Sequence, residues 1–222
     1  MSIYAYPVNV LFAASALLLG SATVHAEIQL YETGPNEEIS YLRFVNTTEQ
    51  AVSIQASKQA KVDLGVRDED RISRFYKIKA GSELSAMVLA EGQKMALKMR
   101  GSPWEYITVT VLPKGKTMLT RETPTDFNAS RASLAMFNLD AACTQADMQG
   151  GAKNVAILNE VKPFTVQRRL INPVKLSATL SCSGDATTHA MDLPPLQAGE
   201  RYSVFVMPKK GARHVVFFHD AQ

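Results

Sequence analysis

Three histidines lie beyond the first 26 residues, His189, His214 and His219, and all three fall in the second half of the chain. His219-Asp220 puts an imidazole next to a carboxylate near the C-terminus, an arrangement some acetyl-transfer hydrolases use. That chemistry also requires an activated Ser and an oxyanion hole. The chain holds no G-x-S-x-G elbow and no Gly-Asp-Ser triplet. His214 and His219 flank the apolar run Val215–Phe218 and are not adjacent to any candidate nucleophile, so they read as solvated strand ends. No catalytic residue is assigned. Asp68-Glu69-Asp70 sits between Arg67 and Arg71. It reads as a charge-compensated turn, because a Ca²⁺ loop would want further spaced oxygen ligands and a Gly. No metal and no cofactor is expected.

Cys143 and Cys182 are the only cysteines. Two distant cysteines with scattered histidines do not make a metal site of three or four ligands. In an exported chain an even count points to a disulfide. The bridge would close a loop of about 40 residues, for which loop entropy gives roughly 4 kcal/mol.

Trp104, Tyr106, Thr108 and Thr110 share one parity, and Ile107, Val109 and Val111 take the other. On a strand the second set faces a core and the first faces away from it. Trp104 and Tyr106 in one half, with Phe205 and Met207 in the other, are therefore the candidate surface for a partner protein or a glycan. Packing of the same face against a second domain is the alternative from sequence.

The elements that must carry these residues are short strands. Tyr41–Asn46 alternates with Leu42 and Phe44 inward, and Val52/Ile54 and Val62/Leu64/Val66 do the same. Ile72–Ile78, Leu84–Leu89 and Met95–Met99 each read as another strand, separated by Ala80-Gly81 and Glu91-Gly92. The clearest case follows the Asn172-Pro173 turn, where Val174, Leu176, Ala178 and Leu180 alternate up to Cys182 before Gly184-Asp185. No window shows a helical apolar face. Closely spaced strands and turns point to β-sandwiches.

Thr120–Arg131 is polar, carries Pro124 and has no apolar period, so it reads as a linker. Two motif pairs flank it in order. Leu42–Thr47 resembles Leu134–Leu139, and Val109–Lys114 resembles Val204–Lys209, at offsets of 92 and 95 residues. Nearly equal offsets are what a tandem duplication leaves. The expected fold class is all-β, two tandem β-sandwich domains joined by a short linker, over residues 27–122 and 123–222.

Of 222 residues, 24 are Lys or Arg and 21 Asp or Glu, which leaves +3 with no basic stripe, so nucleic acid is excluded as a partner. Val10–Thr23 is apolar and runs into Val24-His25-Ala26, which suits signal-peptide cleavage before Glu27. Met1–Asn9 lacks Lys and Arg, and an uncleaved anchor is the rival reading.

Ile171-Asn172-Pro173-Val174-Lys175-Leu176-Ser177 and Leu196-Gln197-Ala198-Gly199-Glu200 resemble the alginate O-acetylation accessory family AlgF. Leu30-Tyr31 with Pro35, then Arg43 and Asn46, are similar to the start of the mature family sequence, and Glu122–Pro124 to its inter-domain junction. The resemblance implies a periplasmic protein of two β-sandwiches. It implies a role in O-acetylation of an exported bacterial polysaccharide, alginate or its acetylated-cellulose counterpart, in biofilm matrix. The implied partners are a periplasmic SGNH-type acetyltransferase and the membrane-bound O-acetyltransferase system. The family supplies no catalytic residue to carry over. The leading expectation is a non-catalytic adaptor. The alternatives are a carbohydrate-binding module that presents the polymer and, third, an acetyl-transferring enzyme.

Overall fold

The computed structural model describes residues 38–56, 61–126, 128–151, 153–183, 188–208 and 213–220. The expected signal peptide, Leu30-Tyr31 with Pro35, the Gly184-Asp185 turn and Lys209 lie outside the described residues. All described regular elements are strands, and they form four four-stranded sheets, two in each sandwich.

The first eight strands are β1 (Ile39–Asn46), β2 (Val52–Ala56), β3 (Val62–Leu64), β4 (Tyr76–Lys79), β5 (Glu83–Ala90), β6 (Gln93–Arg100), β7 (Tyr106–Leu112) and β8 (Lys116–Glu122). They form one sheet in the order β4-β1-β7-β8 and a second in the order β3-β2-β5-β6. Leu42, Phe44, Ile107, Val109 and Val111 of the first sheet pack on Val52, Ile54, Val88 and Leu97 of the second. Glu91 and Gly92 join β5 to β6 with both φ values positive, 49° and 73°, the two-residue turn whose twist matches paired strands.

The expected strand over Ile72–Ile78 is shorter in the structure. Ile72 makes a single bridge to Val45, and the ladder resumes only at Tyr76. Around this gap side chains add to the remaining backbone bonds: Ser73 N donates to the Phe44 carbonyl at 2.9 Å, Phe44 N donates to Ser73 Oγ at 2.9 Å, and Arg71 Nη1 donates to the Asn46 carbonyl at 3.1 Å.

The second set is β9 (Ala132–Asn138), β10 (Ala146–Gly150), β11 (Val155–Val161), β12 (Thr165–Ile171), β13 (Leu176–Cys182), β14 (His189–Leu193), β15 (Arg201–Met207) and β16 (His214–His219). Its sheet orders, β12-β9-β15-β16 and β11-β10-β13-β14, repeat those of the first set strand for strand. The register repeats too. Phe44 stands opposite Val109 in the parallel β1–β7 pair, and Met136 stands opposite Val204 in the parallel β9–β15 pair. These are the offsets of 92 and 95 residues seen in the sequence. Asn46 and Asn138 end their strands alike. Each amide donates to two carbonyls, Gln50 and Gly65 at 2.8 Å for the first, Cys143 at 2.7 Å and Val161 at 2.9 Å for the second.

In β13, Leu176, Ala178, Leu180 and Cys182 face the second core as their alternation requires, while Val174 stays exposed before the strand begins. Cys143 and Cys182 form a disulfide across 39 residues, with Cα atoms 5.3 Å apart. It ties the connection after β9 to the end of β13, inside the second sandwich.

Candidate functional site

β1 and β7 each have a second face, directed away from their own core. It carries Tyr41, Arg43 and Val45 on β1 and Tyr106, Thr108 and Thr110 on β7. The equivalent face of the second sandwich carries Ala135 and Phe137 on β9 and Ser203, Phe205 and Met207 on β15. The two faces meet. Val45 and Ile72 pack with Ala135, Phe137, Leu139, Phe205, Met207 and Val216 in one cluster. The two inner sheets therefore have core on both sides.

At the centre of this seam lies Arg43, with no exposed surface. Its guanidinium carbon is 4.5 Å from the Phe75 ring centre, 4.7 Å from Phe137 and 4.8 Å from Phe205. Its nitrogens leave the rings edge-on. Nη1 donates to Asp220 Oδ1 at 2.6 Å, Nε to Thr108 Oγ1 at 2.9 Å and Nη2 to Ser203 Oγ at 3.1 Å. Ser203 in turn donates to Asp220 Oδ2 at 2.8 Å. Burial lowers the Arg43 pKa, and the Asp220 charge opposes that shift. Burial alone would raise Asp220, but Arg43 and Arg168 reverse it and hold the carboxyl below its ordinary range.

Toward the linker the seam opens into a cleft of about 290 Å³, walled by Arg121–Asp126 on one side and by Ser133, Arg168 and Arg201 on the other. Arg168 grips Glu122 across the two sandwiches, Nε to Oε1 at 2.7 Å and Nη2 to Oε2 at 3.4 Å. Its third nitrogen donates to Ser133 Oγ at 3.1 Å. Burial would lower the Arg168 pKa, but Glu122 and Asp220 outweigh it and the value rises. Arg201 lies face-on over Tyr106, 3.9 Å from the ring centre. Its Nε and Nη2 are shielded from solvent and have no hydrogen-bond partner among the described residues. Burial and the repulsion of Arg168 bring its pKa down to about 10.

The candidate partner or glycan surface of Trp104, Tyr106, Phe205 and Met207 is corrected by this geometry. Tyr106 is 6% exposed, and Phe205 and Met207 are fully buried. Parity separates the two faces of a strand, but it does not say whether the outer face meets water or another sheet. Trp104 precedes β7 rather than lying on it, is half-buried, and takes φ 64°. Its backbone N donates to the Ile39 carbonyl at 2.9 Å, and its indole Nε1 has no partner among the described residues.

The histidines part from Asp220. His219 Nε2 lies 2.9 Å from Glu200 Oε2, with its ring stacked on Tyr202, while the neighbouring Asp220 turns into the seam. His214 Nε2 lies 2.5 Å from Asp68 Oδ1 of the first sandwich, and His189 opens β14. Arg67 pairs with Glu69 at 3.0 Å and also with Asp70, so the 67–71 segment is the compensated turn expected. No group of three metal-ligating side chains occurs among the described residues.

Arg168 and Arg201 were not among the residues singled out from sequence, Arg43 entered only through the family resemblance, and Asp220 only as the neighbour of His219. One signal was available. Leu134–Leu139 and Val204–Met207 are apolar at both parities, which marks a strand covered on both faces. Arg43, opposite such strands, is then an interior charge in need of a carboxylate.

No family model matches the chain, and no curated protein matches it. Among solved structures, the C-terminal domain of AlgF from P. aeruginosa is similar over 40% of this chain and 98% of that one, with 20% identity and a TM-score of 0.36. A putative cell adhesion protein from Bacteroides uniformis ATCC 8492 is similar over 82% of this chain and 98% of its own, with 10% identity and a TM-score of 0.28. Another, from Bacteroides fragilis NCTC 9343, covers 95% and 93%, with 10% identity and a TM-score of 0.26. At these scores the likenesses carry no functional argument.

Proposed function

We propose that this protein is a periplasmic, non-catalytic accessory factor for O-acetylation of an exported polysaccharide, alginate or cellulose, and that it works by holding the acetyltransferase machinery together. The sequence resemblance at Ile171–Ser177 and Leu196–Glu200 supplies the process. The Asn172–Lys175 part of it lies exposed ahead of β13, where a partner can reach it.

One observation carries the adaptor reading. Ser203 and Asp220, a hydroxyl bonded to a carboxylate, form the grouping that most resembles catalytic machinery. They are closed inside the seam with Arg43 as their partner. No acyl donor reaches Ser203, and its proton goes to a carboxylate that an arginine already neutralises. These groups serve to hold two sandwiches as one body, and a rigid body suits a scaffold. The Cys143–Cys182 bridge fits an oxidising compartment. The glycan-presenting alternative loses its platform, because Tyr106 lies under Arg201.

The test pairs affinity capture of the periplasmic acetyltransferase with intact-mass analysis. The purified protein should retain the transferase and gain no adduct of about 42 Da on incubation with an acetyl donor, the mark a covalent route would leave. A stable acetyl adduct on any Ser overturns the reading.

A further inference from the structure

The cleft beside the seam contains an imbalance of pairing. Three guanidinium groups, Arg43, Arg168 and Arg201, share two carboxylates, Asp220 and Glu122. Arg43 takes Asp220 at 2.6 Å, and Arg168 takes both oxygens of Glu122. Arg201 is left over. The imbalance is one of pairing rather than of net charge: Arg121 is paired with Glu105 at 2.8 Å, and the exposed Asp126, which lines the cleft and accepts from the Asn128 backbone at 3.0 Å, is not bonded to Nε or Nη2 of Arg201.

The unpartnered atoms are Nε and Nη2. These two lie along one edge of the guanidinium plane, and that edge matches the two oxygens of a carboxylate. Arg168, which lines the same cleft, shows the same edge filled by Glu122. On Arg201 it is shielded from water, so hydration does not compensate the charge. Tyr106 holds the guanidinium at 3.9 Å from its ring centre, an attraction that uses neither Nε–H nor Nη2–H, and Arg201 lines the cleft.

We propose that this cleft is a carboxylate-binding site in which the Nε–Nη2 edge of Arg201 takes both oxygens of one carboxylate. The geometry of the edge selects the class of ligand: two parallel N–H groups match the two oxygens of a carboxylate. Glu122 and Asp126 line the same cleft, so a phosphate dianion meets more repulsion there than a monoanion. The carboxylate can belong to a free small acid or to an acidic sugar of a polymer. The site stands independently of the accessory role.

The experiment is NMR of the full mature chain, following the Arg201 Nε–H signal during titration with sodium acetate, a uronic-acid oligosaccharide, a neutral oligosaccharide and inorganic phosphate. A carboxylate should shift the signal saturably, and the neutral sugar should not. Arg201→Lys should bind at least tenfold more weakly, and Arg201→Met should show no saturable shift at any other site of the cleft. Met retains packing on the Tyr106 ring and removes an unpaired charge, so this variant keeps the fold, which a thermal melt verifies. Uronate binding at least tenfold tighter than acetate assigns the carboxylate to a glycan, and equal or weaker binding assigns it to a free acid. The proposal is overturned if neither carboxylate gives a saturable shift, if affinity is unchanged in Arg201→Met, or if phosphate binds more tightly than acetate.

Discussion

The Arg43 guanidinium and the Asp220 carboxylate meet at 2.6 Å across 177 residues of chain, and neither side chain reaches solvent. Arg43 belongs to the second strand face of the first sandwich, and Asp220 follows the last described strand of the second. The pair therefore exists only when the two sandwiches are docked. Its surroundings are the three phenyl rings over Arg43, and a charge in such a place is tolerable only with its partner present.

Asp220→Asn should lower stability by about 3 kcal/mol, the usual order for leaving a buried cation without its counter-ion. Urea denaturation measures it. Arg43→Met combined with Asp220→Leu should cost less than Asp220→Asn alone, because no lone charge remains inside. A double variant worse than the single would show that the pair adds net stability rather than matching two otherwise unfavourable charges.

The same pair sets an acid limit. The folded pKa of Asp220 lies below its unfolded value, which is about 3.9 for Asp. Below that pH the unfolded chain takes up a proton that the folded protein refuses, so stability falls as pH drops. The contribution is complete above about pH 4 and is lost toward the lower, folded value. Urea midpoints from about pH 6 down to pH 3 should fall, and the Asp220→Asn variant should show a smaller fall.

Strands up to Glu122 pair only among themselves, as do those from Ala132 onward, and the described residues between them form no strand. Limited proteolysis should therefore cut first within residues 123–131, at an exposed segment. After the cut the halves should stay together on a sizing column, because Arg43–Asp220, Arg168–Glu122 and the cluster around Phe137 and Phe205 cross the seam. Fragments that separate at once without denaturant would show that the seam does not hold the molecule together.

The strands were legible because alternation at β1, β5, β6, β7 and β13 is plain, and the two equal offsets anticipated the repeated topology. The seam was not. Arg43 sits between Leu42 and Phe44, so parity assigns it outward, and in a single sandwich outward means solvent. Its carboxylate partner is next to the C-terminus and beside His219, a neighbour that suggests chemistry rather than structure. Arg201 follows a Gly-Glu turn and reads as a surface charge at the start of a strand. Only the meeting of two outer faces, a relation between strands far apart in sequence, places these charges together.

The Cys143–Cys182 bridge closes 39 residues, and its loss should cost about 4 kcal/mol on the loop-entropy argument. Thiol titration of the denatured, unreduced protein should find no free sulfhydryl. Reduction should lower the urea midpoint of the second sandwich, while Arg43–Asp220 docking slows its opening. Two free thiols in the unreduced protein would exclude the bridge in the native molecule.

The central claim is that the protein supports acetylation without handling the acetyl group. It is tested most directly by the acetyl content of the exported polymer in a deletion strain complemented with the His189→Ala/His214→Ala/His219→Ala chain. Histidine is the side chain that most often serves as the base in a covalent route. Two of the three histidines are hydrogen-bonded to Asp68 and Glu200, with at least one member of each pair exposed, so their removal leaves the buried Arg43–Asp220 and Arg168–Glu122 pairs in place. Acetyl content equal to that of the unaltered chain is the predicted result. Loss of acetylation with the variant folded and present at normal level would contradict it.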